Sequence, residues 1–297
     1  DVLQSRGLGD VYKRQPEHHA CPGPRRPSRP MSRNRHHRDD GVTAKKHLGQ
    51  HFLKDPAVSV RIACLLSENA SPQILEVGPG TGALTRPLIH RFGEGVHVVE
   101  IDAESVTYLR EAEWMNPDHV HAADVLRSTP EALGMTGPFS VAGNFPYNIS
   151  SQILFKVLDW RDRVPECVGM FQKEVADRVC AEHGSKTYGI LSVLLQVYYR
   201  CEYAFTVGPG AFLPPPKVQS GVIRLVRTPD EDPDIDYEVL RRVVKAGFGQ
   251  RRKTLRNALR AGGFDADTIP EAWLGKRAEQ LSPRDFVELA RAVRPVQ

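Results

Sequence analysis

Cysteine pairs are the first thing this 297-residue sequence lacks: Cys21, Cys64, Cys167, Cys180 and Cys201 are scattered, with no Cys-x-x-Cys pattern. An odd, dispersed set excludes a disulfide framework and a cysteine-based zinc site, so no metal is expected and a reducing compartment is. Long apolar runs are missing too. Although 40% of the residues are hydrophobic, no stretch approaches the roughly 20 that a membrane-crossing helix needs, and no charged-then-apolar signal opens the chain. A cytoplasmic protein with no membrane partner is the expectation. Net charge is small as well, at +4. Residues 1–50 hold eleven Lys or Arg against five Asp or Glu, so the remainder is slightly acidic. Any cationic face on the folded part must therefore come from local clustering.

Residues 1–40 are rich in Pro, Arg and His and lack apolar periodicity; they read as a disordered tail that contributes nothing to the fold and is not certain to be native. From there the chain alternates. Gln73–Val77, Val96–Ile101, Val120–Ala123, Phe139–Gly143 and Cys167–Phe171 read as short buried strands. Helices over Ala83–Arg91, Asp102–Trp114 and Ser150–Trp160 separate most of them, and a last strand is expected over Val218–Val226. Strands alternating with helices of this length predict a doubly wound α/β sheet. An acidic, Pro-containing stretch, Asp230–Asp234, marks a boundary. Beyond it Tyr237–Phe248, Arg251–Arg260 and Ser282–Val293 read as short helices, the last opened by an N-cap serine and an N1 proline. The expected division is a catalytic domain over 41–229 and a small all-α domain over 235–297.

Three successive strands end in ligand-competent polar elements. The first runs into Gly78-Pro79-Gly80-Thr81-Gly82, whose spacing is not that of the dinucleotide fingerprint but whose mechanical sense is the same: close backbone approach at a helix N-terminus. The second ends at Glu100, 22 residues after Gly78, where a carboxylate accepts the hydroxyls of a ribose. The third ends at Asp124, placed to take the amino group of an adenine. Singly each acid reads as a solvated loop residue; together they point to a nucleoside cofactor.

The fourth strand ends in Asn144-Phe145-Pro146-Tyr147. A side-chain amide, a carbonyl ahead of a fixed ring and an aromatic at a strand's carboxyl end suit a flat molecule with an exocyclic amino group. Asn144 Oδ1 and the Phe145 carbonyl accept its two N–H bonds, and Tyr147 stacks on its face. Adenine fits, with cytosine as the competitor, taken out of its stack for modification.

With Gly49-Gln50-His51-Phe52-Leu53, Gln172-Lys-Glu-Val175, Ser185-Lys-Thr-Tyr-Gly189, Phe212-Leu-Pro-Pro-Pro-Lys-Val-Gln-Ser220 and Phe248-Gly-Gln-Arg-Arg-Lys-Thr-Leu-Arg256, the chain over roughly 45–295 resembles the S-adenosylmethionine-dependent methyltransferases. Within them it is similar to the ribosomal RNA adenine N6-dimethyltransferases. The resemblance implies a Rossmann-like methyltransferase fold with a small C-terminal all-α domain, and S-adenosyl-L-methionine as cofactor. It implies that His51, Leu53, Gly78, Gly80, Glu100, Ile101, Asp124 and Asn144 line the cofactor site. Asn144, Phe145, Pro146 and Tyr147 would form the catalytic stretch, with Phe212 as a second stacking face braced by Pro214–Pro216. His51 stands where many members carry Asn and Phe145 where Leu is common, so a backbone role is expected for both.

The last strings resemble the branch that dimethylates two adjacent adenosines near the 3′ end of small-subunit (16S) rRNA, which makes the small ribosomal subunit the expected partner of a monomeric enzyme. Residues 241–260 carry eight Lys or Arg and no acid; Arg251, Arg252, Lys253 and Arg256 are the expected phosphate contacts. Two other readings compete with this one: a large-subunit adenine dimethyltransferase of the antibiotic-resistance type, and a non-catalytic small-subunit assembly factor.

Overall fold

A computed structural model describes residues 42–45, 48–229 and 234–294. The expectations for residues 1–40 and for the acidic stretch 230–233 lie outside the described residues. Residues 37–297 make one compact unit.

In chain order the strands are β1 (Phe52–Leu53), β2 (Gln73–Val77), β3 (Val96–Glu100), β4 (Val120–Ala122), β5 (Phe139–Asn144), β6 (Glu166–Gln172), β7 (Tyr199–Val207), β8 (Phe212–Leu213) and β9 (Ser220–Arg227). The helices are α1 (Pro56–Leu65), α2 (Thr85–Phe92), α3 (Ala103–Glu111), α4 (Ser150–Asp159), α5 (Lys173–Val179), α6 (Ile190–Tyr198), α7 (Tyr237–Gly249), α8 (Leu255–Ala261), α9 (Glu271–Leu274) and α10 (Pro283–Ala292). Seven strands form the main sheet in the order β4-β3-β2-β5-β6-β9-β7. Neighbours from β4 to β6 run parallel, whereas β9 pairs antiparallel with both β6 and β7. The central parallel strands are largely apolar because both faces are covered; β3 is buried at every position, His97 and Glu100 included, while the edge strand β4 buries only Val120. The sheet order reverses between β2 and β5, and the carboxyl ends there open the crevice in which open α/β sheets bind ligands.

Local chemistry sets the element ends. Asp55 caps α1, accepting from the Ala57 amide at 3.0 Å, with Pro56 in the first turn. Asp236 caps α7 through the amides of Glu238 and Val239. At α10 the expected Ser282 cap is a reciprocal box: Asp285 N–H donates to Ser282 Oγ at 3.2 Å and Ser282 N–H to Asp285 Oδ2 at 2.9 Å.

Three differences from the sequence reading have physical causes. The stretch 173–207, to which the sequence reading assigns no element, holds α5, α6 and β7. Helix α6 is apolar nearly all round because it is buried nearly all round, packed against α4, α5, α7 and α10. Secondly, the helix expected over Arg251–Arg260 starts only at Leu255. Arg251 is a strut instead, paired with Glu279 at 3.2 Å and donating to the Ser185 carbonyl at 3.3 Å. Thirdly, the C-terminal helices have no core of their own. Leu240, Val243, Val244, Leu255, Phe286 and Leu289 belong to one apolar cluster with Leu154, Leu194 and Leu195 of α4 and α6.

Candidate active site

The crevice at the carboxyl ends of β2, β3 and β5 holds a pocket roofed by the segment that leads into β1. Gly78 and Gly80 line its floor, with Glu100, Ile101 and Asp124 on one side and Asn144, Phe145, Pro146 and Tyr147 on the other; Gln50, His51 and Phe52 close it. Gly78 and Gly80 both have positive φ, at 70° and 55°, a turn that L side chains resist. A Cβ on Gly80 would also strike the Phe52 ring, at 2.8 Å from Cε1. The turn must therefore be glycine for conformation and for space at once.

Glu100 is buried yet well held: Ile101 N–H and Asp102 N–H donate to Oε1 at 2.9 and 3.0 Å, and Gly80 N–H to Oε2 at 3.3 Å. Burial raises its pKa above the ordinary carboxylate value, opposed by those three amides. The next side chain, Ile101, is 59% exposed at the pocket wall, an apolar surface suited to the face of a purine. Asp124 accepts from Leu126 N–H at 3.0 Å, which fixes its carboxylate at the far end. Acid, apolar face and glycine turn together suit an adenosyl group, and these are the residues that would hold the S-adenosylmethionine nucleoside. Replacing Glu100 by Gln should weaken S-adenosylmethionine binding by roughly tenfold or more, the cost of a lost hydrogen bond to a charged acceptor. Isothermal titration of both proteins measures it, and equal affinities would remove Glu100 from the site.

Glu76, in β2 just before the turn, is 1% exposed and its Oε2 has no hydrogen-bond partner among the described residues. Burial, opposed by the Thr85 hydroxyl and reinforced by the nearby Glu100 carboxylate, pushes its pKa up to about 8. The folded chain therefore holds a proton that the unfolded chain releases near the ordinary value of 4.5. That contribution is complete below the unfolded value and is lost as pH rises through about 8. Glu76→Gln should flatten the decline between about pH 4.5 and 8 while keeping the fold; melting temperatures across that range decide, and an unchanged slope would be the contrary result.

The catalytic stretch is oriented by the roof. Asn144 Nδ2 donates to the His51 carbonyl at 2.8 Å, and because a carbonyl only accepts, this contact assigns which end of the amide is nitrogen. Oδ1 is thereby left as the acceptor. Phe145 turns its ring into the core, 1% exposed, and so offers its backbone to the pocket. The Tyr147 hydroxyl shares a 2.5 Å hydrogen bond with Ser220 Oγ, while the His51 ring lies against the Tyr147 ring with centroids 5.4 Å apart. The roof is anchored at several points: Lys45 pairs with Asp102 and, at 3.3 Å, with Glu104. His51 Nδ1 lies 2.8 Å from the Pro214 carbonyl, and β1 pairs with β8.

Most of the expected site residues converge on this pocket. Leu53 and Phe212 do not. They face each other in the β1–β8 ladder, with Leu53 6% and Phe212 1% exposed, both in one core cluster. Alternation along β8 turns Phe212, the expected second stacking face, inward and Leu213 outward, so its ring does not line the pocket in this structure. Leu126, Asn148 and Ile149 also line the pocket, and only their adjacency to Asp124 and Tyr147 could have pointed to them. Arg251, Arg252, Lys253 and Arg256 lie apart from it, at the start of the α8 region. Arg256 pairs with Asp267 at 3.8 Å, whereas Arg252 and Lys253 are exposed without an ion-pair partner among the described residues.

A reversed parallel sheet, a glycine turn beneath one strand and a carboxylate closing the next define a Rossmann-like S-adenosylmethionine-dependent methyltransferase. The model of the family "Ribosomal RNA adenine dimethylase" matches residues 41–290, and the chain belongs to that family. It is 51% identical over 252 residues to the Ribosomal RNA small subunit methyltransferase A of Porphyromonas gingivalis, covering 84% of this chain and 96% of the relative. Among solved structures, a dimethyladenosine transferase from Plasmodium falciparum superposes with a TM-score of 0.67 at 23% identity, over 80% of this chain and 96% of the other. The 23S rRNA methyltransferase ErmE does so with 0.63 at 25% identity, over 81% and 98%.

Proposed function

We propose that the chain transfers methyl groups to N6 of two adjacent adenosines near the 3′ end of small-subunit rRNA, giving N6-dimethyladenosine during ribosome assembly. The observation that carries the reading is the orientation of Asn144, whose nitrogen is taken by the His51 carbonyl and whose Oδ1 is left for an amino donor. S-adenosylmethionine, when bound, supplies an electrophilic methyl group on a sulfonium. The chain's own work is alignment. Asn144 Oδ1 and the Phe145 carbonyl accept the two N–H groups of the adenine, favouring a pyramidal nitrogen and the positive charge that grows on it. Tyr147, held by Ser220, supports the base face, and the roof at His51 and Phe52 keeps water out. No strong base is needed, because the alkylated ammonium loses its proton readily.

The choice of the small subunit is supported by the close relative's name and by the basic string from Arg251, since the fold alone is shared with a large-subunit enzyme. For RNA contact the exposed Arg252 and Lys253 are the stronger candidates; Arg256 is half committed to Asp267, and Arg251 is a strut. The reading has the chain acting as a monomer in the cytoplasm, with the C-terminal helices as its subunit-docking part. No helix of the described residues is long and apolar enough to cross a membrane. The test is incubation with labelled S-adenosylmethionine and purified small or large subunits lacking dimethyladenosine, followed by nucleoside analysis. Dimethyladenosine in small-subunit RNA is expected; label confined to the large subunit would overturn the assignment.

A further inference from the structure

Gly143 and Gly169 face each other across the parallel β5–β6 pair. Two glycines opposite one another in the middle of a buried sheet weaken it, and neither has the positive φ that would demand glycine. Space is the remaining reason. The three atoms nearest to a Cβ on Gly169 all belong to the Phe145 ring: it would strike Cε2 and come within 2.6 Å of Cδ2 and 3.0 Å of Cζ. A Cβ on Gly143 would meet the opposite edge of the same ring, 2.6 Å from Cε1 and 2.8 Å from Cδ1, and also the Val77 carbonyl oxygen at 2.7 Å. The two missing side chains leave a slot that the Phe145 ring fills, with Phe171 as its third wall at 4.9 Å between centroids.

The backbone is tied to the same strand, for Phe145 N–H donates to the Met170 carbonyl at 3.1 Å and Asn144 pairs with Met170 in register. We propose that Gly169 is a positioning residue for methyl transfer: by leaving room for the Phe145 ring it fixes the Phe145 carbonyl and, with it, the Asn144 amide that receive the target amino group. The inference rests on the proposed function. A ring expelled from the slot has no free space in the core, so its displacement passes into the backbone of the catalytic stretch. A misplacement of about 1 Å costs on the order of 10²-fold in rate.

Gly169→Ala should therefore lower kcat by about 10²-fold, while S-adenosylmethionine affinity, to which Glu100, Ile101 and the Gly78–Gly80 turn contribute on the far side of the pocket, should fall far less than kcat. Adding Phe145→Leu, whose branched end can swing clear of the new methyl, should recover most of the lost kcat. The same Leu should not rescue Gly143→Ala, because the clash with the Val77 carbonyl remains. Single-turnover methylation of small subunits and calorimetric cofactor titration read both quantities. If Gly169→Ala does not fold, the double variant must fold and methylate. A Gly169→Ala enzyme with wild-type kcat, or a loss that Phe145→Leu does not relieve, overturns the slot and leaves the proposed function intact. A wild-type chain inactive on small subunits overturns both.

Discussion

Asn144→Ala is expected to abolish dimethyladenosine formation on small subunits, with kcat lowered by on the order of 10²–10³-fold, the scale set by removing one preorganised group from a developing charge. The side chain has two partners to lose. Its nitrogen holds the roof at the His51 carbonyl, and its oxygen is the acceptor left for the adenine amino group. Truncation therefore removes the acceptor and unties the roof together. Comparing Ala with Asp separates the two: Asp restores an acceptor but repels the His51 carbonyl, so it should regain little. Subunit binding, measured by co-sedimentation, should survive in Asn144→Ala because the basic string lies elsewhere in the chain. Binding without methylation would also distinguish an enzyme from an assembly factor that merely docks; full methylation by the Ala variant would overturn the role given to Asn144.

The largest expected effect on stability is at Phe286. Its side chain is fully buried in α10 and stacks on Phe248 of α7 with ring centroids 5.7 Å apart. Phe286→Ala should cost about 3–5 kcal/mol. Because this ring belongs to the cluster that continues into α6 and α4, the loss should lower the midpoint of one transition for the methyltransferase body and the C-terminal helices together. Denaturant unfolding followed by far-ultraviolet dichroism and by tryptophan fluorescence should give coincident curves in both proteins. An early, separate transition in the variant would show that the helices unfold as an independent body.

Strands β2 to β6 were legible in the sequence because they are short, largely apolar runs ended by a polar residue or a glycine turn. The pocket residues followed from the same logic, since Glu100, Asp124 and Asn144 each stand at a strand's carboxyl end. Helix α6 was not legible: a helix buried on all sides has no polar stripe to betray its period, and 190–198 reads equally as a strand. The inward turn of Phe212 was not legible for a different reason. Its direction is set by pairing with β1, about 160 residues earlier in the chain, and no local pattern records which face of a two-residue strand turns inward. The role of Arg251 was hidden likewise, because the Glu279 that claims it lies beyond two intervening helices.

The position of α6 also bears on recombination between relatives. A chimera joined at the acidic stretch 230–233 would lay foreign helices on a native α6, and side chains such as Leu240 and Phe286 would meet a surface shaped for other partners. Cutting ahead of Ile190 would keep α6 with its C-terminal neighbours, but it would also exchange β7, β8 and β9 and so open new seams at β6, β1, α4 and α5. Neither join is free, because α6 ties the C-terminal helices to the body while the strands that follow it belong to the main sheet.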